Sequence, residues 1–340
     1  MTAGRLMAAE MADQPDVLAR LVARRGECAA ALEDLAGDDL KGIVIVARGS
    51  SDYAAVYGRY LLELRARRPV TLAAPSLVTH YGARTPMEGW LAVAVSQSGR
   101  TPEITNVLKT LASDGARTLA ITNGRDSPLA AAADWTLHLD AGDERAVPAT
   151  KTFTAQLAAV ALLAEALGDT AWPDDHWAAA VNAVRDVLQD DERPTAAARR
   201  LDGADRLVTI GRGLLFGVAL EVALKARETT GILAEGWSSS DYRHGPIAAS
   251  GEHVPAVAVH AAGPTQDDVR ELVADLRERG SLILEITDDE AADLPIPSGL
   301  PEALAALPAA VRAQQLALAL SLARGLDPDT PAGLSKVTAT

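Results

Sequence analysis

Leu91-Ala92-Val93-Ala94-Val95 runs directly into Ser96-Gln97-Ser98-Gly99-Arg100-Thr101-Pro102. A short unbroken apolar run bounded by a polar turn reads as a strand covered on both faces. Gly99 lets the backbone approach a ligand closely. Pro102 suits the first position of a helix, where its missing N–H costs little, and the helix is predicted from about Pro102 to Ser113. Such a strand–turn–helix unit leaves helix N–H groups unpaired at the carboxyl end of a strand, a favourable place for an anion. Ser96, Ser98 and Thr101 add hydroxyl donors. An ordinary capped turn has the same local signature, so the stretch decides the fold class and leaves phosphate binding open.

The same pattern extends on both sides. Ile43 to Ala47 reads as a strand entering Arg48-Gly49-Ser50-Ser51, followed by a helical stretch from Asp52 to Arg65. Ser50 and Ser51 either reach the same crevice or cap that helix. Leu119 to Thr122 and Trp135 to Leu139 are further strands, and Thr150 to Leu167 is a long helix. Asp190-Asp191-Glu192-Arg193-Pro194 makes a polar break, after which the pattern restarts. Strands are predicted at Leu207–Ile210, Pro255–Val259 and Leu282–Ile286, with helices at about Leu215–Thr230 and Val311–Arg324. The tail from Leu326 should be extended.

The halves look duplicated. Leu91-Ala-Val-Ala-Val and Pro255-Ala-Val-Ala-Val are offset by 255 − 91 = 164 residues, and the same offset carries Gly49 onto Gly213 and Thr101 onto Thr265. Ile121 meets Ile286 after one further residue. A period this long means two homologous domains. The expected fold is α/β: two tandem domains, each a parallel sheet with helices on both faces, in three flavodoxin-like α/β/α layers. Residues 1–190 form a helical lead-in and the first domain, 191–325 the second, and 326–340 a tail. Ser96-Gln97-Ser98 becomes His260-Ala261-Ala262 in the second copy, so a ligand site belongs with the first.

Composition narrows the function classes. The chain has 340 residues, 48% of them hydrophobic, which suits about two globular domains. A formal net charge of −14 argues against a nucleic-acid binder, and 4% aromatics against a base-stacking platform. One cysteine, Cys28, excludes an intramolecular disulfide and fits a reducing compartment. No apolar run is expected to approach the roughly 20 residues that span a bilayer, and the start lacks a signal peptide's apolar core. The cytoplasm is the expected location, with no membrane partner.

Three further places carry chemistry. Glu221, Lys225 and Glu228 lie at i, i+4 and i+7 on one helix face. On an isolated helix this is a solvated pair, but the apolar flanks Ala219, Leu220, Ala223, Leu224 and Ala226 turn the charges toward a cleft. Asp241-Tyr242-Arg243-His244-Gly245-Pro246 is a dense polar loop whose turn presents His244, a residue suited to proton transfer. Lys336 stands four residues from the end, where a lysine is ordinarily frayed. The remaining histidines show no metal-ligand spacing.

Together these pieces resemble the sugar-isomerase (SIS) family, and most nearly the isomerase half of glutamine-dependent glucosamine-6-phosphate synthases. The likeness begins at Glu10-Met-Ala-Asp-Gln14-Pro15. It continues through Arg48-Gly49-Ser50-Ser51, Ser96 to Thr101, and Ala141-Gly-Asp-Glu144-Arg-Ala-Val147-Pro-Ala-Thr150-Lys151-Thr-Phe-Thr-Ala-Gln156. It ends with Ala219 to Glu228, Arg243-His244-Gly245-Pro246 and Leu334-Ser-Lys336.

The resemblance implies roles residue by residue. Ser51, Ser96, Gln97, Ser98 and Thr101 would hold a sugar phosphate, with Glu144 and Val147 on a loop over the sugar. Glu228 would move a proton between C1 and C2, and Glu221 and Lys225 would belong to the same site. His244 would assist ring opening from the neighbouring subunit of a homodimer. Lys336 would form a Schiff base with an open-chain keto-sugar, which requires desolvation or nearby cations to keep it partly neutral. No metal or cofactor is implied.

The departures from the synthases are Arg100 for Glu, Ala149 for Ser and Ala332 for Arg, with no room for a glutaminase domain. The Arg-Gly-Ser-Ser and Ser-Gln-Ser-Gly-Arg forms are more similar to stand-alone SIS-type glucosamine-6-phosphate deaminases. The leading expectation is therefore glucosamine 6-phosphate to fructose 6-phosphate plus ammonia. The alternatives are another phosphosugar isomerase, an aminotransferase-like enzyme lacking the glutaminase domain, or a non-catalytic sugar-phosphate sensor.

Overall fold

The computed structural model describes residues 2–169 and 171–336. The chain groups into two compact units. One holds residues up to Pro15, Glu144–Thr150 and Asp174–Lys336; the other holds Asp16–Asp143 and Lys151–Pro173. Residues 337–340 of the expected tail lie outside the described residues.

The second of these units is built on a five-stranded parallel sheet of β1 (Gly42–Val46), β2 (Val70–Leu72), β3 (Trp90–Ser96), β4 (Arg117–Thr122) and β5 (Trp135–His138). Its order is β2-β1-β3-β4-β5. All five residues of β1 are buried, as a strand between two helical layers requires. Val44, Val46, Ala92 and Ala94 pack with Ile104, Val107, Leu108 and Leu111 of the Pro102–Ser113 helix. The Ser50–Ala66 helix packs on β1 and β3 and against the almost wholly buried Lys151–Ala166 helix. Cys28 is buried here too, and burial pushes its thiol up to about 12, so it is no nucleophile.

The other unit carries β6 (Arg206–Gly211), β7 (Leu233–Ser238), β8 (Ala256–Val259), β9 (Ile283–Thr287) and β10 (Leu294–Pro295), ordered β10-β9-β8-β6-β7. Read from its far end, this is the first order shifted by five strands. Even the register repeats. Val44 pairs with Ala92 and Val208 with Ala256, both partners being 164 residues further on. Ile43 pairs with Val70 and Leu207 with Ala234, at the same offset. Ala92 pairs with Thr118 but Ala256 with Ile283, so one residue enters the second copy between these strands. Gly49 and Gly213 share a left-handed φ, 60° and 56°. The duplicated parallel α/β fold is therefore present pair by pair.

The turn after β8 differs from its counterpart after β3. The Thr265 hydroxyl donates to Glu302 Oε1 at 3.1 Å, and the same carboxylate lies against Gly263. Buried His260 sits between Glu285, at 3.0 Å, and the Thr287 hydroxyl, at 3.1 Å.

Three expectations need correction. The late helix begins at Glu302, not Val311, and runs to Ala323 through Pro308. By length and hydropathy alone it passes as a membrane span, so an apolar run of that size does exist. Within its unit, however, 89% of the tested window is buried, and it packs on the Phe216–Thr230 helix. Arg312, at its middle, is buried and donates to Pro295 O at 2.9 Å and to Asp190 Oδ2 at 2.9 Å. The tail from Leu326 to Lys336 forms turns rather than an extended strand.

Arg312 joins the helix to an edge strand and to the segment after the Asp174–Val187 helix. Burial works against the charge on Asp190, but the Arg193 N–H and the Arg312 guanidinium hold its carboxyl below the usual range. A depressed folded pKa stabilises above the unfolded pKa and is lost as pH falls through the folded one. Arg312→Met is therefore expected to cost about 2 kcal/mol in denaturant unfolding at neutral pH, below the usual range for a broken buried pair because Asp190 can rehydrate. It should also flatten the loss of stability below about pH 4. A variant with wild-type stability and acid dependence would contradict this account.

Candidate active site

In the β1–β5 unit, the turns after β1 and β3 stand side by side at the carboxyl edge of the sheet, where the strand order reverses. After β3 the chain folds back on itself. The Gly99 N–H donates to Ser96 Oγ at 3.2 Å and the Arg100 N–H to Ser98 Oγ at 3.2 Å. Each hydroxyl thus accepts from backbone and keeps its own hydrogen to donate. The Gln97 carbonyl accepts the Asn123 N–H at 3.0 Å, and the Gly99 carbonyl accepts the Leu129 N–H at 3.1 Å, so the loop is propped from below. Gly99 has φ 62°, and a Cβ there would lie 2.2 Å from Ser127 Oγ, which leaves room for glycine alone.

No side chain caps the Pro102–Ser113 helix at Thr101, so the N–H groups of its first turn remain available to an anion. After β1, Ser51 is buried and accepts from Gln156 Nε2 at 3.0 Å. Arg48 pairs with Glu103 at 2.9 Å across the two turns. Ser51, Ser96, Gln97, Ser98 and Thr101 therefore belong to one edge of one sheet.

In the β6–β10 unit, the Phe216–Thr230 helix carries Glu221, Lys225 and Glu228. The side chains of Glu221 and Lys225 are wholly buried, which removes the solvated-pair reading. Lys225 Nζ lies 3.4 Å from Glu221 Oε1 and is hydrogen-bonded to Glu228 Oε2. Burial opposes the charge on Lys225, but the two carboxylates outweigh it and hold the ammonium above its ordinary range. Glu228 keeps partial exposure, 22% of its side chain, and is the member of the trio open to a ligand. His244 is exposed at the end of the short Ser239–Arg243 helix, ahead of Gly245.

The same unit contains the loop 144–150 and Lys336. Lys336 Nζ lies 2.7 Å from Glu144 Oε2, and Glu144 Oε1 accepts the Thr150 N–H at 3.0 Å. Val147, half-buried on this loop, donates its N–H to the carbonyl of Asp329 at 3.1 Å. The tail lysine is thus docked, not frayed, and its immediate neighbour is a carboxylate where desolvation or nearby cations were expected. Sequence reasoning gave no role to Gln156, Asp329 or Gln314, whose Nε2 donates to the Thr150 carbonyl at 3.2 Å. Their partners lie far away along the chain, and the one local hint is the Asp327-Pro-Asp329 pattern ahead of the lysine.

Among the described residues, no group of three or more His, Cys, Asp or Glu is placed to hold a metal ion. A family model described as the SIS domain matches residues 39–166 and 200–295. The chain belongs to the SIS domain family. The two SIS matches cover the two sheets in turn. Over 319 residues the chain is 36% identical to the Symbiobacterium thermophilum protein named glutamine–fructose-6-phosphate aminotransferase [isomerizing], covering 87% of this chain and 51% of that protein. The chain therefore spans about half the length of the curated relatives it matches. Two solved structures share the SIS fold at 24% identity. The C-terminal domain of glucosamine-fructose-6-phosphate aminotransferase from Francisella tularensis has a TM-score of 0.83, covering 96% of this chain and 98% of that one. Glucosamine-6-phosphate deaminase from Thermotoga maritima has a TM-score of 0.81, covering 98% and 100%.

The buried trio makes a strong prediction. Lys225→Met leaves two carboxylates without their cation, and should cost roughly 3–5 kcal/mol of stability at neutral pH. Without Lys225, burial raises the Glu221 pKa above its unfolded value. Stability linked to that group is then fully present below the unfolded pKa and lost as pH rises through the folded one. The deficit against wild type, measured by urea unfolding, should be smaller at about pH 5 than at about pH 8. A deficit independent of pH would refute the buried-carboxylate account.

Proposed function

We propose that this SIS protein is a phosphosugar deaminase–isomerase acting on glucosamine 6-phosphate to release fructose 6-phosphate and ammonia. The observation that carries the reading is the Lys336 ammonium 2.7 Å from the buried Glu144 carboxylate. The contact sets the amine against a group that can take its proton when the imine forms, although a carboxylate alone favours the ammonium. The Ser-Gln-Ser-Gly-Arg form of the turn at Ser96–Arg100, similar to that of stand-alone deaminases, favours the deaminating direction.

In this reading Ser51, Ser96, Gln97, Ser98 and Thr101 hold the phosphate through hydroxyls and helix N–H groups. His244, supplied by the partner in a homodimer, assists opening of the sugar ring. Glu228 takes the proton from C2 and returns it to C1, converting the aldehyde into a hydroxymethyl group and the C2 amine into an imine. Lys225, paired with Glu221, orients the Glu228 carboxylate. Lys336 passes a proton to Glu144, and its Nζ attacks C2 as ammonia leaves. Water then hydrolyses the lysine imine to give the ketose. Overall one water is consumed and one ammonia released. Glu144 and Val147 belong to the loop over the sugar.

A second reading is supported by the names of the curated relatives, which are aminotransferases. There the same groups run toward amination with ammonia supplied from elsewhere.

Pure protein incubated with glucosamine 6-phosphate should yield ammonia and fructose 6-phosphate in equal amounts. No product at high enzyme concentration rejects the deaminase. Net formation of glucosamine 6-phosphate from fructose 6-phosphate and ammonium as the only turnover selects the second reading. Glu228→Gln should lower turnover by roughly 100-fold or more while sugar-phosphate binding persists. Ser98→Ala should raise KM about tenfold through one lost charge-assisted hydrogen bond.

A further inference from the structure

The loop 144–150 has no helix or strand to fix it, so its backbone N–H groups must find other acceptors. Four of its six N–H groups have acceptors that can be named. The Val147 N–H goes to the Asp329 carbonyl and the Thr150 N–H to Glu144 itself. The Arg145 and Ala146 N–H groups both go to the carboxylate of Glu10, the latter at 3.2 Å. Glu10 is only 6% exposed, on the Arg5–Ala12 helix. Its helix contributes Met7 and Met11 to an apolar cluster with Ala146 and Ala317, and burial pushes the Glu10 carboxyl up although the Arg145 and Ala146 N–H groups and the Lys336 charge oppose this. A charge is costly in such a place unless its hydrogen bonds do something an apolar side chain cannot.

The tail is tied to the same helix. Asp329 Oδ1 accepts the Met7 N–H at 2.8 Å and Oδ2 the Leu6 N–H at 2.9 Å, and Asp329 lies seven residues before Lys336. One short helix thus grips the tail that carries the lysine and the loop that carries its carboxylate partner. Gln14 extends the grip, donating to Gln314 Oε1 at 2.9 Å, while Gln314 donates to the Thr150 carbonyl.

We infer that Glu10 is a positioning residue: its carboxylate fixes the loop backbone at Arg145 and Ala146, and so sets Glu144 against Lys336 Nζ. The inference rests on the imine role of Lys336 proposed above. Both N–H groups reach Oε1, and that of Ala146 also reaches Oε2 at 3.3 Å; glutamine at position 10 keeps the size of the side chain but puts an NH₂ donor in place of one oxygen, so at least one of these bonds is lost.

The test is reductive trapping. Lys336 Nζ bonds to C2 of open-chain fructose 6-phosphate, water leaves, and hydride from borohydride reduces the C=N bond to a stable secondary amine. Mass spectrometry of the Lys336 peptide reads the rate. Glu10→Gln should be trapped about tenfold more slowly, equivalent to about 1.4 kcal/mol. KM for the sugar phosphate should stay within about twofold, because the phosphate-holding turns are separate from this network, and Glu10→Asp should recover part of the rate. Trapping of a folded Glu10→Gln protein at the wild-type rate overturns the inference alone. Failure to trap wild type overturns the imine role itself. Should the variants unfold, hydrogen exchange in the wild-type segment 144–150 decides: protection is expected, and exchange at the free-peptide rate overturns the inference.

Discussion

Parallel strands buried on both faces leave their ends as the places where backbone polar groups can meet a ligand. In the β1–β5 unit the order reverses between β1 and β3, and the two turns that diverge there carry Ser51 and Ser96–Thr101. Everything else about the turn after β3 is support for this one consequence of topology. Gly99 permits the close fold-back, and the Asn123 and Leu129 N–H groups fasten the loop beneath it. The serine oxygens accept from backbone donors, which leaves each hydroxyl its own hydrogen to donate.

The second unit solves a different problem, the burial of charge. Glu221, Lys225 and Glu228 compensate one another along a single helix face, and Glu144 and Lys336 do so across 192 residues of chain. Arg312 is held by three backbone carbonyls together with Asp190 and Gln315. Each of these groups would be expelled or neutralised if its partner were removed. Chemistry in this unit therefore depends on segments remote in sequence being held together by backbone hydrogen bonds.

This contrast explains what could be read from the chain. The central strands β1, β3, β4, β6, β8 and β9 were legible because continuous apolar runs are their signature. Of the edge strands, β5 was legible from Trp135 to Leu139, whereas β2, β7 and β10 were missed. Val70–Leu72 is three residues long, Leu233–Ser238 contains Glu235 and Gly236, and Leu294–Pro295 ends on proline. Edges are half-solvated and need no apolar run. Pro308 concealed the start of the late helix, since proline ordinarily marks a boundary. The i, i+4, i+7 spacing placed Glu221, Lys225 and Glu228 on one face, but their burial depends on the Glu302–Ala323 helix packed against them. No local pattern could link Glu10 to Arg145, or Glu144 to Lys336.

The Glu302 carboxylate beside Gly263 and Thr265 bears on how a duplicated fold comes to hold one ligand. Thr265 is the counterpart of Thr101 at the 164-residue offset, and in the second copy its hydroxyl already has an anion. A tethered carboxylate competes at an effective concentration of order millimolar or above, whatever the level of free sugar phosphate. The two copies therefore differ at this turn without any loss of architecture: a single acidic side chain acts as a permanent occupant of the second one.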